Sequence, residues 1–313
     1  MKPARFEYAR PDSLAEAVEL VARGDGMARV LAGGQSLLPM LNLRLAGAEV
    51  LVDVSRLPEL LGAEETGDGV RFGAAVRHAE IEDGEVPDPT RGLLRTVAEG
   101  LAYRAIRNRG TIGGSLALAD PSAEWPAVLM ATDAVLEVRG PAGTRQVAVK
   151  DFVVGAYTTT LGDDEILQAI TVPRLSPTAR WGYYKACRKA GEYATSLAVV
   201  VIDRDRGIER AVLGAIGTAP QAMPRTAAAV AARQGWSEAA VSAVKDAVAA
   251  DIAAGGLDLD GFERRIHGAS MARAARQALG PCPVLPWRST ATRSPRRSSR
   301  EPRWPISCAR IAG

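Results

Sequence analysis

Two glycine segments hold the residues best suited to chemistry in this chain: Ala32-Gly33-Gly34-Gln35-Ser36 and Thr111-Ile112-Gly113-Gly114-Ser115. Glycine permits close backbone approach and positive φ, and successive N–H groups form a concavity that binds anions. The hydroxyls of Ser36, Thr111 and Ser115 and the Gln35 amide add donors. A pyrophosphate carries two anionic groups, so two such segments point to a dinucleotide or flavin. Neither segment is a Rossmann fingerprint: Gly-x-Gly-x-x-Gly is absent, and no regular βαβ unit surrounds it. Neither is a Walker loop, because no Gly-Lys-Ser/Thr follows. The segments contain no Lys or Arg. Phosphate binding is therefore expected to rest on amide and hydroxyl donors, each worth about 1.5–3 kcal/mol toward a charged acceptor. Arg104, Arg107 and Arg109 precede the second segment. They either add a field to it or form a basic face toward solvent or another subunit.

The elements that must position these segments can be read from periodicity. Ser13 with Glu16 is a capping-box pattern, and Leu14, Ala17, Val18 and Val21 share one helical face over 13–23. A short strand over 28–31 leads into the first glycine segment. The apolar stretch 37–45 reads as a helical turn or an irregular buried segment, and a strand follows over 50–54. Hairpins are expected over 62–75, turning at Gly67-Asp68-Gly69, and over 133–149, turning at Gly140-Pro141-Ala142-Gly143. Helices are expected over 93–101 and 124–131, and a strand over 166–172. The two prolines in 173–178 suggest a connection between domains. Strands over 180–188, 195–203 and 208–214 come next, then helices over 225–233 and 238–253. No internal repeat is evident, and the order is α+β twice over.

At 47% hydrophobic and 24% charged the chain reads as a soluble globular protein. No apolar run approaches a membrane span and no secretory signal is visible, so a cytoplasmic location is the default expectation. Cys187, Cys282 and Cys308 are too scattered for a disulfide framework or a metal motif. The net charge of +3 misleads, because nine Arg and one acid lie from Met271 onward, leaving 30 basic and 35 acidic residues in 1–270. A nucleic-acid reading of the body therefore has little support. Residues 281–313 are dominated by Pro, Arg and Ser. They read either as a disordered basic tail or as the product of a coding frame shifted near Met271. In both cases the tail is expected to lie outside the folded domain. His78 and His267 are expected to be structural or surface residues.

The two segments extend to Ala32-Gly33-Gly34-Gln35-Ser36-Leu37-Leu38-Pro39 and Asn108-Arg109-Gly110-Thr111-Ile112-Gly113-Gly114-Ser115, with Ala119-Asp120-Pro121 beyond. Together with Leu51-Val52-Asp53-Val54-Ser55, Lys185 and Gly191-Glu192-Tyr193-Ala194, they resemble the FAD-binding medium subunit of molybdenum hydroxylases, the aerobic carbon monoxide dehydrogenase and xanthine dehydrogenase type. The resemblance spans about residues 2–270. It implies an α+β fold: a vanillyl-alcohol-oxidase-like (PCMH-type) FAD-binding domain of two α+β subdomains over 1–176, then a small α+β domain over 177–280 with a three-stranded antiparallel sheet and helices.

The resemblance also implies roles. Residues Ala32, Gly33, Gly34, Gln35, Ser36 and Leu37, with Thr111, Ile112, Gly113, Gly114 and Ser115, would hold the FAD pyrophosphate. Leu101 would lie beside the flavin, Glu124 would bind a sugar or ribityl hydroxyl, and Asp120 is a further hydroxyl acceptor. Leu167 and Lys185 would sit near the isoalloxazine, and Tyr193 would cover a ring face. No catalytic side chain and no metal site are expected in this chain, whose chemistry would be the cofactor's. The implied partners are a large molybdenum-cofactor subunit and a small subunit with [2Fe–2S] clusters, assembled as a dimer of heterotrimers that passes electrons through FAD to an external acceptor. The alternatives are a free-standing flavin oxidoreductase of the same fold, similar to the enolpyruvyl-UDP-N-acetylglucosamine reductases, and a non-catalytic scaffold subunit.

Overall fold

The structure is a computed structural model in which residues 2–280 are described. The tail expected over 281–313 lies outside the described residues. The chain begins with β1 (Glu7–Ala9), α1 (Leu14–Arg23), β2 (Ala28–Leu31), α2 (Leu37–Asn42) and β3 (Val50–Asp53). The three strands form a parallel sheet in the order β1-β3-β2. Helix α1 lays Leu14, Ala17, Val18 and Val21 against Val52 and Val54, as its periodicity requires. Ser13 Oγ accepts the Glu16 N–H at 3.2 Å, but the Glu16 carboxylate takes the Asp12 N–H instead of closing the box on Ser13.

A second sheet is antiparallel. It is built from β4 (Ala63–Glu65) and β5 (Gly69–Gly73), then β6 (Val135–Gly140) and β7 (Gly143–Ala148) after five intervening helices. Those helices are α3 (His78–Asp83), α4 (Leu93–Glu99), α5 (Arg104–Arg107), α6 (Ile112–Leu118) and α7 (Glu124–Ala131). After α8 (Val149–Phe152) and the small hairpin β8 (Val153–Gly155) and β9 (Thr158–Thr159), strand β10 (Ile166–Pro173) enters the middle, giving the order β4-β5-β10-β6-β7. Trp125, Phe72 and Phe152 are fully buried between this sheet and the helices.

The last region is β11 (Arg180–Ala186), β12 (Ser196–Asp203), β13 (Ile208–Gly214) and β14 (Gln221–Ala222), followed by α9 (Pro224–Ala231), α10 (Glu238–Ala254) and α11 (Gly261–Leu279). The sheet has the three long antiparallel strands expected, plus the two-residue edge strand β14. Every residue of β12 is buried. Leu197, Val199 and Val201 enter the core shared with α7, while Ala198, Val200 and Ile202 enter the core under α9–α11. A strand covered on both faces reads as a continuous apolar run. Helix α11 lies so close to β11 that a Cβ on Gly182 would sit 1.8 Å from the Ala274 carbonyl oxygen.

One expectation is corrected. The second glycine segment is not a loop, because Thr111 is the N-cap of α6 and Ile112 to Ser115 form its first turn. Helix α11 runs through Met271, with Met271, Ala274, Ala275, Ala278 and Leu279 buried. Small residues at helical spacing kept this amphipathic pattern faint.

His78 anchors the segment before α6. Its N–H donates to Gly110 O at 2.9 Å, and its Nδ1 accepts the Trp125 indole N–H at 3.2 Å. That acceptor role requires neutral imidazole. Burial, with Arg107 nearby, lowers the pKa from 6.5 to about 4. The unfolded chain thus binds more protons across that window, and stability falls as pH drops from 6.5 toward 4. The loss attributable to His78 is about 3 kcal/mol. Urea unfolding followed across this range should lose most of that pH slope in His78→Gln. Parallel slopes in both proteins would place its origin elsewhere.

Candidate functional site

Strand β2 delivers the first glycine segment to the edge of the parallel sheet, where Gly34 turns the chain with φ +71°. Gly33 packs backbone to backbone against the residues that precede α6. A Cβ there would lie 2.1 Å from Arg109 O and 2.8 Å from Gly110 Cα, so only glycine fits. A Cβ on Gly114 would come within 3.9 Å of the Ala32 Cβ. The two segments therefore form one continuous surface.

They do not offer the same donors. Among the described residues, the amides of Gly34, Gln35 and Ser36 have no protein acceptor, and Leu37 follows them as the first residue of α2. In the second segment the Ile112 N–H donates to Val76 O and the Gly113 N–H to Ala74 O, each at 3.0 Å. Thr111 takes the other two, with Gly114 N–H on its Oγ1 at 3.0 Å and Ser115 N–H on its carbonyl at 3.1 Å. The expectation that both segments present free amides is corrected accordingly. The carbonyls of Val76 and Ala74 together with the N-cap Thr111 occupy all four amides, leaving the Ser115 hydroxyl and an open backbone surface at Gly114. Gln35 also turns inward, donating from Nε2 to Gly33 O at 3.2 Å.

The far end of α6 is Ala119, in the left-handed region at φ +51°, followed by Asp120. Asp120 Oδ1 accepts the Ser122 N–H at 2.8 Å, and Oδ2 accepts the Tyr157 hydroxyl at 3.3 Å. Tyr193 stands nearby, 71% exposed. Its phenol is raised by partial burial and by the carboxylates of Asp120 and Glu124. Tyr193 is thus no core residue. Tyr157 escaped sequence reasoning, since its only signal is a large aromatic in the turn Gly155-Ala156-Tyr157.

Lys185 and Glu124 form a buried ion pair. Lys185 Nζ lies 2.7 Å from Glu124 Oε1, each side chain is 8% exposed, and Nζ also donates to Gly100 O at 3.2 Å. Glu124 is in the first turn of α7, and Gly100 closes α4. The cation therefore meets a helix C-terminus and the carboxylate a helix N-terminus, both favourable. Burial raises the Glu124 carboxyl even with Lys185 beside it. Residues alternate along β11: Gly182 faces α11, while Trp181, Tyr183 and Lys185 face α4 and α7. Among the described residues the buried Tyr183 hydroxyl has no hydrogen-bond partner.

Leu101 and Leu167 are buried in the core, 7% and 5% exposed. A bulge in β10 beside Leu167 exposes Gln168 O to the Ala74 N–H, and Ala74 O receives Gly113 N–H, tying α6 to the sheet. Arg107 is no free cation: it forms a bidentate pair with Glu82 at 2.7 Å, and its Nη1 donates to Leu101 O at 2.7 Å. Arg104 pairs with Glu82 and Asp83. An FAD fits these donors. The free amides of the first segment suit a phosphate, the Gly33–Gly110 contact leaves no side chain in the way, and the carboxylate of Asp120 suits a hydroxyl. Among the described residues no helix is long and apolar enough to cross a membrane, and no group of His, Cys, Asp and Glu is placed to hold a metal ion.

Residues 4–175 match the family model described as the FAD binding domain in molybdopterin dehydrogenase. The chain is similar to the nicotine 6-hydroxylase medium subunit of Paenarthrobacter nicotinovorans, 38% identical over 69% of this chain and 77% of that one. It is equally similar to the carbon monoxide dehydrogenase medium chain of Hydrogenophaga pseudoflava, 38% identical over 72% and 79%. Among solved structures it resembles a carbon monoxide dehydrogenase of Hydrogenophaga pseudoflava that lacks the Mo-pyranopterin moiety of the molybdenum cofactor. That match has a TM-score of 0.81 at 34% identity and covers 89% of this chain and 98% of that one.

The buried pair generates a test. Lys185→Met strands the Glu124 carboxylate and should cost about 3 kcal/mol in urea unfolding at neutral pH. The deficit should shrink on acidification, because Glu124 then enters the fold protonated. Adding Glu124→Leu should recover most of the loss. Purely additive effects in the double variant would show that the two charges are not coupled.

Proposed function

The chain belongs to the family of FAD-binding domains in molybdopterin dehydrogenases, and from that membership we propose that it is the electron-transfer subunit of a molybdenum hydroxylase complex. It is an FAD-binding medium subunit of the carbon monoxide dehydrogenase type. In the proposed complex a large molybdenum-cofactor subunit oxidises the substrate, and a small [2Fe–2S] subunit relays the electrons to this chain, which delivers them to an external acceptor. The assembly is a dimer of such heterotrimers in the cytoplasm. Residues 1–176 form the FAD-binding domain and 177–280 a second domain that completes the site. Bound FAD supplies reversible one- and two-electron transfer.

The observation that carries this reading is the backbone contact that joins the two glycine segments beside three unengaged amides. In it the amides of Gly34, Gln35 and Ser36 hold the pyrophosphate, with Ala32, Gly33 and Leu37 shaping that turn. Thr111, Ile112, Gly113, Gly114 and Ser115 close the other side. Asp120 accepts a hydroxyl of the cofactor. Glu124 orients Lys185 toward the flavin ring, Tyr193 covers a ring face, and Leu101 and Leu167 support it from the core. Relatives of equal identity are named for nicotine and for carbon monoxide, which favours substrate choice by the large subunit.

Purified full chain reconstituted with FAD should show the yellow flavin spectrum. Gly114→Val puts a side chain on the open backbone surface that faces the first segment, its Cβ 3.9 Å from the Ala32 Cβ, and should weaken FAD binding at least about tenfold. The fold should persist, because the added Cβ meets the Thr111 hydroxyl at 2.8 Å and the Ala32 Cβ at 3.9 Å but no backbone outside its own helix. Gly113→Val is the contrasting variant: its Cβ would lie 2.6 Å from the Ala74 carbonyl oxygen, and folding itself should fail. Wild-type FAD affinity in Gly114→Val would exclude these segments as the pyrophosphate site.

A further inference from the structure

Tyr157 is built into the site more firmly than a turn residue needs to be. It lies between β8 and β9 and is 61% exposed. Its backbone is left-handed at φ +53°, a conformation that costs a bulky residue energy and recurs where function requires it. Two hydrogen bonds offset that cost, and both run to the end of α6. The Tyr157 N–H donates to Ala119 O at 2.8 Å, and its hydroxyl donates to Asp120 Oδ2 at 3.3 Å. The helix that begins with the second glycine segment thus ends by holding an exposed aromatic ring. Tyr193, also exposed, shares the influence of the same Asp120 carboxylate.

We propose that Tyr157 is a second aromatic contact for the flavin, acting beside Tyr193 at the Asp120 end of α6. The inference rests on the FAD reading given above. An exposed ring gains little in water, whereas a flat π-system offers it a stacking surface. The tether to Asp120 limits the rotamers the ring can adopt, so less freedom is lost on binding. The turn that carries Tyr157 is open to solvent at Val154 as well, 55% exposed, so the ring is not shielded by its own hairpin.

The test uses the full chain, FAD titration and the emission of bound flavin, which an adjacent tyrosine ring quenches. Tyr157→Leu keeps apolar bulk but removes the ring. It should raise the FAD Kd about tenfold, the scale of one aromatic stacking contact, and brighten the bound flavin. Tyr157→Phe keeps the ring and should retain the quenching. Unchanged Kd and emission in Tyr157→Leu, with wild-type binding intact, overturn the proposal alone. So does a Tyr157→Leu chain that binds FAD normally but no longer associates with partner subunits, because the ring then serves an interface. Failure of the wild-type chain itself to bind FAD overturns the reading beneath it.

Discussion

The contact between Gly33 and the Arg109–Gly110 peptide is the constraint on which the rest of the site depends. A carbonyl oxygen occupies the place where any other residue would carry its Cβ. Behind it the close approaches continue: Gly110 against the His78 ring, and Gly113 against Ala74, whose N–H is bonded to the β10 bulge at Gln168. The result is a stack of main chains from the parallel sheet through α6 to the antiparallel sheet. Each glycine costs about 0.5–1 kcal/mol of chain entropy relative to alanine. That cost is accepted because side chains here would push the two segments apart. The buried helices α4 and α7 and the aromatic core offset it from the other side.

The Lys185–Glu124 pair plays the corresponding part for the second half of the site. A buried ion pair is weak evidence for stability, since desolvation opposes the Coulomb attraction; the raised Glu124 carboxyl reflects that opposition. The pair instead fixes position. One ammonium group joins the end of α4 to the start of α7, and it projects from a strand whose other face is pinned under α11. Trp181, four residues earlier, reaches Arg91 O just before α4 begins. Strand β11 is thereby held at both ends of α4, and the sheet it belongs to cannot slide without breaking a buried contact.

Much of this was legible in the sequence, for identifiable reasons. Helices α1 and α7 and the strands β2, β5, β6 and β10–β13 follow from apolar periodicity and clear turn residues such as Gly67-Asp68-Gly69. Helices α3, α5 and α11 were not foreseen: the first two are short, and α11 uses alanine for its buried face. The glycine segments suggested an anion site, but which of their amides are free did not show. Whether an amide is free depends on where Thr111, Val76 and Ala74 place their oxygens, and only the fold brings those together. Arg107 illustrates the same limit. Its position beside the second segment suggested a field for phosphate, but Glu82, 25 residues away, takes the charge.

That engagement shapes the electrostatics of the whole surface. With Arg107 paired and only 11% of its side chain exposed, that guanidinium is engaged elsewhere, and the unengaged amides lie at Gly34, Gln35 and Ser36. The opposite end of α6, about 10 Å away by its helical rise, carries Asp120, with Glu124 just beyond. Carboxylates repel an anion and accept from hydroxyls. On the proposed FAD reading, a ligand with a phosphate at one end and hydroxyls followed by a flat ring at the other would lie with its phosphate at the first glycine segment and its ring toward Tyr157, Tyr193 and Lys185. The polarity comes from the placement of α6, whose N-terminal turn is closed by its own cap and whose C-terminal residues bind a tyrosine. The direction of the site is thus set by how one seven-residue helix disposes of its end groups.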